Sequence, residues 1–438
     1  MDSKWYTTTL GEVLELKRGY DLPKKKRKAG QIPIISSSGY SDVHADSKVT
    51  GPGVVTGRYG TIGQVFWIEE DFWPLNTTLY VRDFKGNDPR FISYFLKTID
   101  FLSYSDKAAV PGVNRNHLHL AQVTIPDVNT QRQIAHILDT LDHKIELNRQ
   151  MNQTLEAMAQ AIFKSWFVDF EPVKAKQQAR EAGESVELAA MVAIAGKSAA
   201  EIEQLPAAQR ASLAETADLF PDRLVESELG PIPEGWSYKK IKECCLRIQN
   251  GGTPQRSESQ FWENGDIPWL SSSEVRQEIV IETSRFITEK GFKNSSAKWV
   301  PALSTVVALY GATAGQTALI SEALTTNQAV CALIPKPGFA RFNYLAMRRE
   351  SEMIATKAVG SAQQNLSKKI VENTTLLLPK ESLVQHLDGY LDDFFRQWIL
   401  HLNQSRTLSQ LRDTLLPKLL SGELTISDAM PQAEEALT

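Results

Sequence analysis

The chain is poor in cysteine and has no long apolar run. Its three cysteines, adjacent Cys244 and Cys245 and distant Cys331, make neither a disulfide framework nor the paired spacing of a zinc site. No apolar stretch reaches the roughly 18 residues of a membrane span, and Met1 to Leu10 holds no signal-peptide core. A reducing cytoplasm fits, with no membrane partner. Catalytic motifs are missing as well. Gly196-Lys197-Ser198 has Met191 where a phosphate-binding loop needs its first glycine. Gly51-Pro52-Gly53 carries Thr56 in place of the third glycine of a dinucleotide fingerprint. His117 and His119 would share one face of a strand but have no third metal ligand nearby, which favours surface or packing roles. There is no Asn-Pro-Pro-aromatic tetrapeptide of an adenine methyltransferase and no helicase motif. Glu15-Leu16-Lys17 is too short a fragment of a nuclease motif to weigh. The chain is therefore expected to be non-catalytic, with no metal and no cofactor of its own.

What is present is repetition. Written in sevens, residues 131–166 place Ile134, Leu141, Asn148, Leu155 and Ile162 at one apolar position, with Ile137, Met151 and Met158 at the other. That spacing predicts a coiled-coil seam. Adding 253 to each number gives Leu387, Phe394, His401, Leu408 and Leu415 in the same phase. Both helices exchange an apolar residue for a polar one at the same step, Asn148 and His401, and such a residue fixes register at some cost in stability. Two unrelated amphipathic helices, each packed on its own domain, are the competing reading.

The flanking segments repeat too. Residues 1–126 read as a mixed domain of short strands, and 236–378 follow the same order. Trp236 answers Trp5, and Ile267-Pro268-Trp269-Leu270 with its serines answers Ile32-Pro33-Ile34-Ile35. Tyr310-Gly311-Ala312-Thr313-Ala314-Gly315-Gln316 answers Tyr59-Gly60-Thr61-Ile62-Gly63-Gln64 with one residue inserted. Asn327-Gln328 answers Asn76-Thr77, and Gly360 to Leu366 answers Gly112 to Leu118. A short helix is expected from Gly11 to Leu16, another from Phe91 to Asp100, and a polar loop from Pro111 to His117.

The expected class is α+β: two pseudo-repeated mixed α/β domains separated by two long helices that form an antiparallel coiled coil. Its divisions are 1–126, the first domain; 127–170, the first long helix; 171–235, a helical, acidic insert and connector; 236–378, the second domain; 379–422, the second long helix; and 423–438, a frayed, flexible tail. Pro417 should break the second long helix. Helices are expected over Leu188 to Ala200 and Ala207 to Ala217. Length is consistent with two to four domains, each able to bury a core.

Net charge is −4, but it is unevenly spread. The first domain holds 16 Lys+Arg against 13 Asp+Glu and the second 17 against 12, whereas the insert holds 6 against 12. Mildly basic domains are thus separated by acidic segments.

Four stretches together resemble the specificity subunits of type I restriction-modification systems. They are the Tyr310–Gly315 loop with Asn327-Gln328, the run from Gly360 to Ser367, the run Lys164-Ser165-Trp166-Phe167-Val168-Asp169-Phe170-Glu171-Pro172-Val173, and Leu415-Leu416-Pro417-Lys418-Leu419-Leu420-Ser421-Gly422. The first half departs from the pattern, with Arg58-Tyr59-Gly60 and Asn76-Thr77 in place of Leu309-Tyr310-Gly311 and Asn327-Gln328. The resemblance implies two target-recognition domains on double-stranded DNA, two methyltransferase subunits docked on the helices and motor-nuclease subunits joining them. S-adenosylmethionine, ATP and magnesium would bind those partners. A helix of about 36 residues is roughly 54 Å long, the length of on the order of 16 base pairs, so a divided target with an unread spacer is expected.

Phosphates should be gripped by Lys and Arg, and bases read by Arg, Asn and Gln. The candidates are Lys24, Lys25, Arg27, Arg58, Tyr59, Asn76, Arg115 and Asn116 in the first domain. In the second they are Tyr310, Thr313, Gln316, Asn327, Gln328, Gln363, Gln364 and Lys368. In the bland alternative the glycine-flanked polar residues cap turns and Asn327 satisfies loop backbone. At the level of function, the alternative is a structural adaptor with two recognition domains on a coiled-coil spacer that never meets DNA.

Overall fold

Each half of the sequence begins with an edge strand that pairs with the last strand of the same half. In the computed structural model, which describes residues 5–105, 112–357 and 365–437, the chain forms two units: 1–148 with 404–438, and 149–403.

In the first unit Trp5–Thr9 pairs antiparallel with Gln122–Pro126, closing a lobe on itself. Inside, an antiparallel sheet runs Glu15–Arg18, Thr78–Asp83, Gly53–Gly57, Val65–Ile68, and a second runs Gly39–His44, Ile32–Ser36, Trp73–Pro74. Helix Pro89–Leu96 starts with proline in its first turn and with the Asp88 carboxylate accepting from Phe91 N at 2.8 Å, both favourable at a helix start. It buries all of Phe91 to Leu96. Val54, Leu79 and Val81 of the sheet share one core with Phe91, Ile134, Leu138 and Leu141, and with Leu408, Leu415 and Leu419 from the second long helix. Each such aliphatic side chain stabilises the fold by about 1.5–3 kcal/mol on full burial.

The second unit repeats the plan. Ser237–Lys240 pairs with Thr375–Leu378. Its larger sheet runs Cys245–Asn250, Val330–Pro335, Thr305–Ala308, Thr317–Ile320, Ile279–Val280, and its smaller one Phe286–Ile287, Ile267–Leu270, Leu324–Thr326, Trp299–Val300. In both lobes the Ile-Pro strand lies parallel to the short strand that precedes the repeated asparagine. The expectation of one lobe written twice holds at the level of strand order.

The first long helix, Val128–Phe167, is continuous. Its equivalent is Glu381–Tyr390 followed, after Leu391, by Asp392–Ser421. Within the first unit, Arg412 Nη1 donates to Asp142 Oδ1 at 2.6 Å, and Asn148 Nδ2 donates to Gln404 Oε1 at 2.9 Å and Ser405 Oγ at 3.3 Å. Within the second, His401 Nδ1 and Asn152 Oδ1 share a hydrogen bond of 3.0 Å, and the Trp166 and Tyr390 rings are 5.6 Å apart. Numbers rise on one helix as they fall on the other, so the pairing is antiparallel in each unit. The two polar seam residues are bonded across it, which suits a register device.

Several expectations need correction. The second seam position lies four residues after the first, not three. Leu138, Ile145, Asn152, Ala159 and Trp166 are buried or half-buried there, whereas Met151 and Met158 are 41% and 43% exposed. Ile137 is buried, in the core of the first lobe. Pro417 does not break its helix, which runs on to Ser421. Its ring is exposed, so the carbonyl it deprives of a donor one turn earlier can be hydrated. The tail after Gly422 is a helix, Ile426–Leu437, with Ala429 and Ala433 buried in the first unit's core.

The Pro111 to His117 loop contains the start of helix Arg115–His119. Its counterpart Lys368–Glu372 lies 253 residues on, and Tyr310 bridges Asn365 as Tyr59 bridges Gly112. Gly112 to Leu118 therefore corresponds to residues 365–371, not to Gly360 to Leu366. In the insert, Glu171–Ala182, Val186–Ala195, Ala199–Glu203 and Ala207–Asp218 are helices. The expected helix Leu188 to Ala200 is divided where Gly196 turns left-handed and Ser198 caps the next segment.

Candidate nucleic-acid interface

The Tyr-Gly motifs need glycine because the chain leaves a sheet strand and reverses tightly. Gly60 and Gly63 have φ of +75° and +79°, and Gly311 and Gly315 of +77° and +87°, conformations that a side chain resists. The reversal leaves Gln64 and Gln316, just past the second glycine of each pair, exposed at the strand ends.

In the first lobe three separate stretches meet there. The backbone N–H groups of Arg58 and Tyr59 donate to Thr77 O at 2.9 and 3.2 Å, and Val113 N donates to Arg58 O at 3.1 Å. The Arg58 guanidinium lies 4.4 Å from the centre of the Tyr59 ring. Arg115 and Asn116 stand exposed on the first turn of their helix, whose cap Asn114 accepts from Asn116 N. Asn76 Nδ2 donates to the Asp21 carboxylate. The fold thus brings Arg58, Tyr59, Asn76, Arg115 and Asn116 together. Lys24 and Lys25 are exposed in a short 3-10 turn elsewhere in the lobe. Arg27 is spent inside the lobe, with Nη1 donating to Asp42 Oδ2 at 2.6 Å, and this bond holds the Asp42 carboxyl below its usual range.

In the second lobe Tyr310, Gln316 and Gln328 are exposed at the equivalent place. Gln328 Oε1 accepts from Thr253 Oγ1, and its carbonyl accepts from Asn250 Nδ2 at 3.1 Å. Lys368 is half-buried and paired with Glu372 at 3.1 Å. Two candidates are structural instead. Thr313 is buried, its hydroxyl donating to Ser272 O at 2.9 Å, and Asn327 is buried with Oδ1 accepting from Ala329 N at 3.0 Å. Thr313 ties two loops together, and Asn327 satisfies the backbone of its own loop, as the bland reading held. Gln363 and Gln364 lie outside the described residues.

Sequence reasoning missed the connection that lies against these loops in each lobe. Tyr20 N donates to Pro74 O at 2.8 Å and Gly252 N to Thr326 O at 2.9 Å, so Asp21 and Thr253 reach the residues after the short strand in the same way. Lys17 and Lys48 lie over the Tyr20 ring at 5.6 and 6.0 Å. The usable signal was the glycine pair, Gly19 and Gly251, where any side chain would strike the neighbouring strand's carbonyl.

The described cysteines and His119 are packing groups. Burial pushes Cys244 up to about 11 and Cys245 and Cys331 up to about 12, which keeps the thiols protonated and unreactive. His119 Nε2 accepts from Leu16 N at 3.0 Å, a packing role, and burial lowers its pKa. Among the described residues no group of three His, Cys, Asp or Glu could hold a metal, and no helix is long and apolar enough to cross a membrane.

Comparison with known proteins agrees with this architecture. The type I restriction modification DNA specificity domain matches residues 2–157 and 233–409. The HindI specificity subunit of Haemophilus influenzae is 34% identical over 339 residues, covering 74% of this chain and 73% of that protein. The MjaIX specificity subunit of Methanocaldococcus jannaschii is 24% identical, over 81% and 74% of the two chains. Among solved structures, a type I restriction-modification S subunit from M. genitalium shares the fold, with a TM-score of 0.57 and 15% identity over 96% of each chain. Two matched domains that cover most of the chain, in the order in which the two lobes occur, establish that it belongs to the type I restriction-modification DNA specificity family.

Proposed function

We propose that this chain is the sequence-specific DNA-recognition subunit of a type I restriction-modification complex. Each lobe reads one half of a bipartite target. The paired helices set the unread spacer and carry two methyltransferase subunits, which motor-nuclease subunits join. S-adenosylmethionine, ATP and magnesium act on those partners, in the cytoplasm, and this chain supplies recognition without catalysis. The observation that carries the reading is the twice-built cluster of polar side chains at equivalent strand ends: half-buried Arg58, Tyr59 and Asn76 with exposed Arg115 and Asn116 in one lobe, and exposed Tyr310, Gln316 and Gln328 in the other.

A second repeated feature supports paired docking. Leu147 and Leu400, 253 residues apart, are 49% and 57% exposed on the long helices. An apolar residue left open at the same place in both repeats suits two copies of one partner.

Methylated adenines are mapped in cells carrying the whole system, with and without this chain. A split motif that vanishes with the chain is expected. Inserting one heptad into each long helix should lengthen the spacer by about 10 Å, roughly three base pairs; an unchanged spacer would refute the ruler. Arg58→Ala should relax the half of the motif read by the first lobe, and Gln316→Ala the other half.

A further inference from the structure

The second lobe carries a basic site separate from the strand-end loops. Arg256, Trp262, Ser284, Arg285 and Phe286 line an open cavity of about 520 Å³. Arg256 and Arg285 are both exposed, and among the described residues neither guanidinium has an ion-pair or hydrogen-bond partner. Arg247 and Arg276 of this lobe are exposed as well, whereas Arg341 is engaged with Asp388 and Asp392, Arg348 with Glu156 and Glu278, and Arg223 with Glu234.

The backbone beneath the two free cations is fixed. Trp262 Nε1 donates to Gln255 O at 3.2 Å, holding the chain beside Arg256. The Arg285 carbonyl accepts from Trp269 N at 3.0 Å and from Thr283 Oγ1 at 2.9 Å. Trp269 is fully buried, its indole N–H donates to Gly252 O at 2.9 Å, and its ring meets Trp262 edge-on at 5.1 Å. The acid at Ser284, Glu274, already accepts from Ser284 N at 2.7 Å and from Ser271 N and Oγ at 2.9 and 2.6 Å, so the like charges on this anchored scaffold are arranged for an anion that arrives from outside. The first lobe has cations in the same connection: Lys24, Lys25 and Lys26 lie between Glu15–Arg18 and Ile32–Ser36, as Arg256 lies between Cys245–Asn250 and Ile267–Leu270.

We infer that Arg256 and Arg285 form a phosphodiester clamp that grips the DNA backbone beside the half-site read by the second lobe. The site positions the duplex and carries no sequence information. The inference rests on the DNA-recognition reading and adds the residues that set its salt dependence.

The test is the double variant R256Q/R285Q in the full chain assembled with its methyltransferase subunits. Binding is measured against salt on the mapped target duplex and on a scrambled duplex of equal length, with Lys197→Gln, an exposed lysine of the insert, as control. The variant should bind both duplexes about tenfold or more weakly at physiological salt. The slope of log affinity against log salt should shrink by about two, near 0.9 per lost phosphate contact. The mapped methylation motif and the melting temperature should not change. A wild-type slope overturns the clamp, and so does an altered motif, which would make these arginines base readers. A wild-type complex that binds neither duplex at low salt overturns the recognition reading itself.

Discussion

Arg90 and Arg341 occupy the same place in the two repeats, at the start of the helix that follows the last strand of the larger sheet, and each reaches an aspartate of a long helix. The partners, Asp139 and Asp392, are 253 residues apart. The environments differ. The Arg90 and Asp139 side chains are 22% and 40% exposed, whereas Arg341 is 7% exposed and is also bonded to Asp388, at 11%. One repeat keeps the whole pair near water, whereas the other buries the arginine together with a second aspartate, Asp388, and leaves Asp392 27% exposed. Repetition of sequence therefore fixes which groups meet without fixing how much their meeting is worth.

That difference can be broken directly. Arg341→Leu leaves the buried Asp388 carboxylate without its cation, while Asp392 keeps Arg396 at 2.6 Å, and should destabilise the second unit by about 3–5 kcal/mol. Arg90→Leu should lower stability by about 1 kcal/mol or less. Urea denaturation of the two variants checks the ratio, and equal losses would show that burial does not separate the sites.

The tail is the next contrast. In each unit the long helix is followed by a left-handed residue and a helix of 12 residues, Glu171–Ala182 in one and Ile426–Leu437 in the other. The first of these is covered by the other helices of the insert, whereas the second is the last described element. Ala429→Asp places a carboxylate in the first unit's core and should lower its stability by about 3 kcal/mol. Hydrogen exchange should show the loss in residues 5–148 while 149–403 stay protected; unchanged protection would return the tail to a frayed appendage.

The left-handed step itself sharpens the comparison. Phe170 makes it with φ of +56° and packs edge-on against Trp236 at 5.7 Å, while Gly422 makes it with φ of +75° against Trp5. Gly422→Ala would bring its Cβ to 3.0 Å from the Trp5 ring. It should lower the melting free energy by about 1–2 kcal/mol. No loss would mean that Trp5 yields as readily as Trp236 accommodates Phe170.

The smallest effect separates scaffold from reader within one loop. Thr313→Val removes the bond to Ser272 O and should cost about 1 kcal/mol with an unchanged methylation motif. Gln316→Ala should leave the thermal melt within about 0.5 kcal/mol while the motif relaxes. Thermal melts with motif mapping check both, and a reversed pattern would exchange the two roles.

Much of this was legible in the residues. The first seam position, from Ile134 to Ile162 and from Leu387 to Leu415, is recorded by periodicity because a helix returns the same face to its partner every seven residues. The Ile-Pro strands and Tyr-Gly turns were visible because strand alternation and left-handed glycines leave local marks. Other features leave none. Whether Met151 or Asn152 faces the partner helix depends on the geometry of contact, since both lie within the arc that either packing could use. Thr313 and Asn327 read as interface residues because a short polar side chain beside glycine looks the same whether it meets a ligand or a loop carbonyl. Arg58, Thr77 and Val113 gave no sign of meeting, because the hydrogen bonds joining them are backbone bonds between distant stretches.

The sequence by itself determined the duplication, the phase and polar step of the long helices and the kinds of side chain at the strand ends, because each is written in local spacing. Only the tertiary structure decided which of those side chains face solvent, how deeply each Arg–Asp pair is buried, and that the tail joins the core. Those outcomes depend on what the rest of the chain packs against each residue, and burial, unlike periodicity, belongs to the neighbours as much as to the residue.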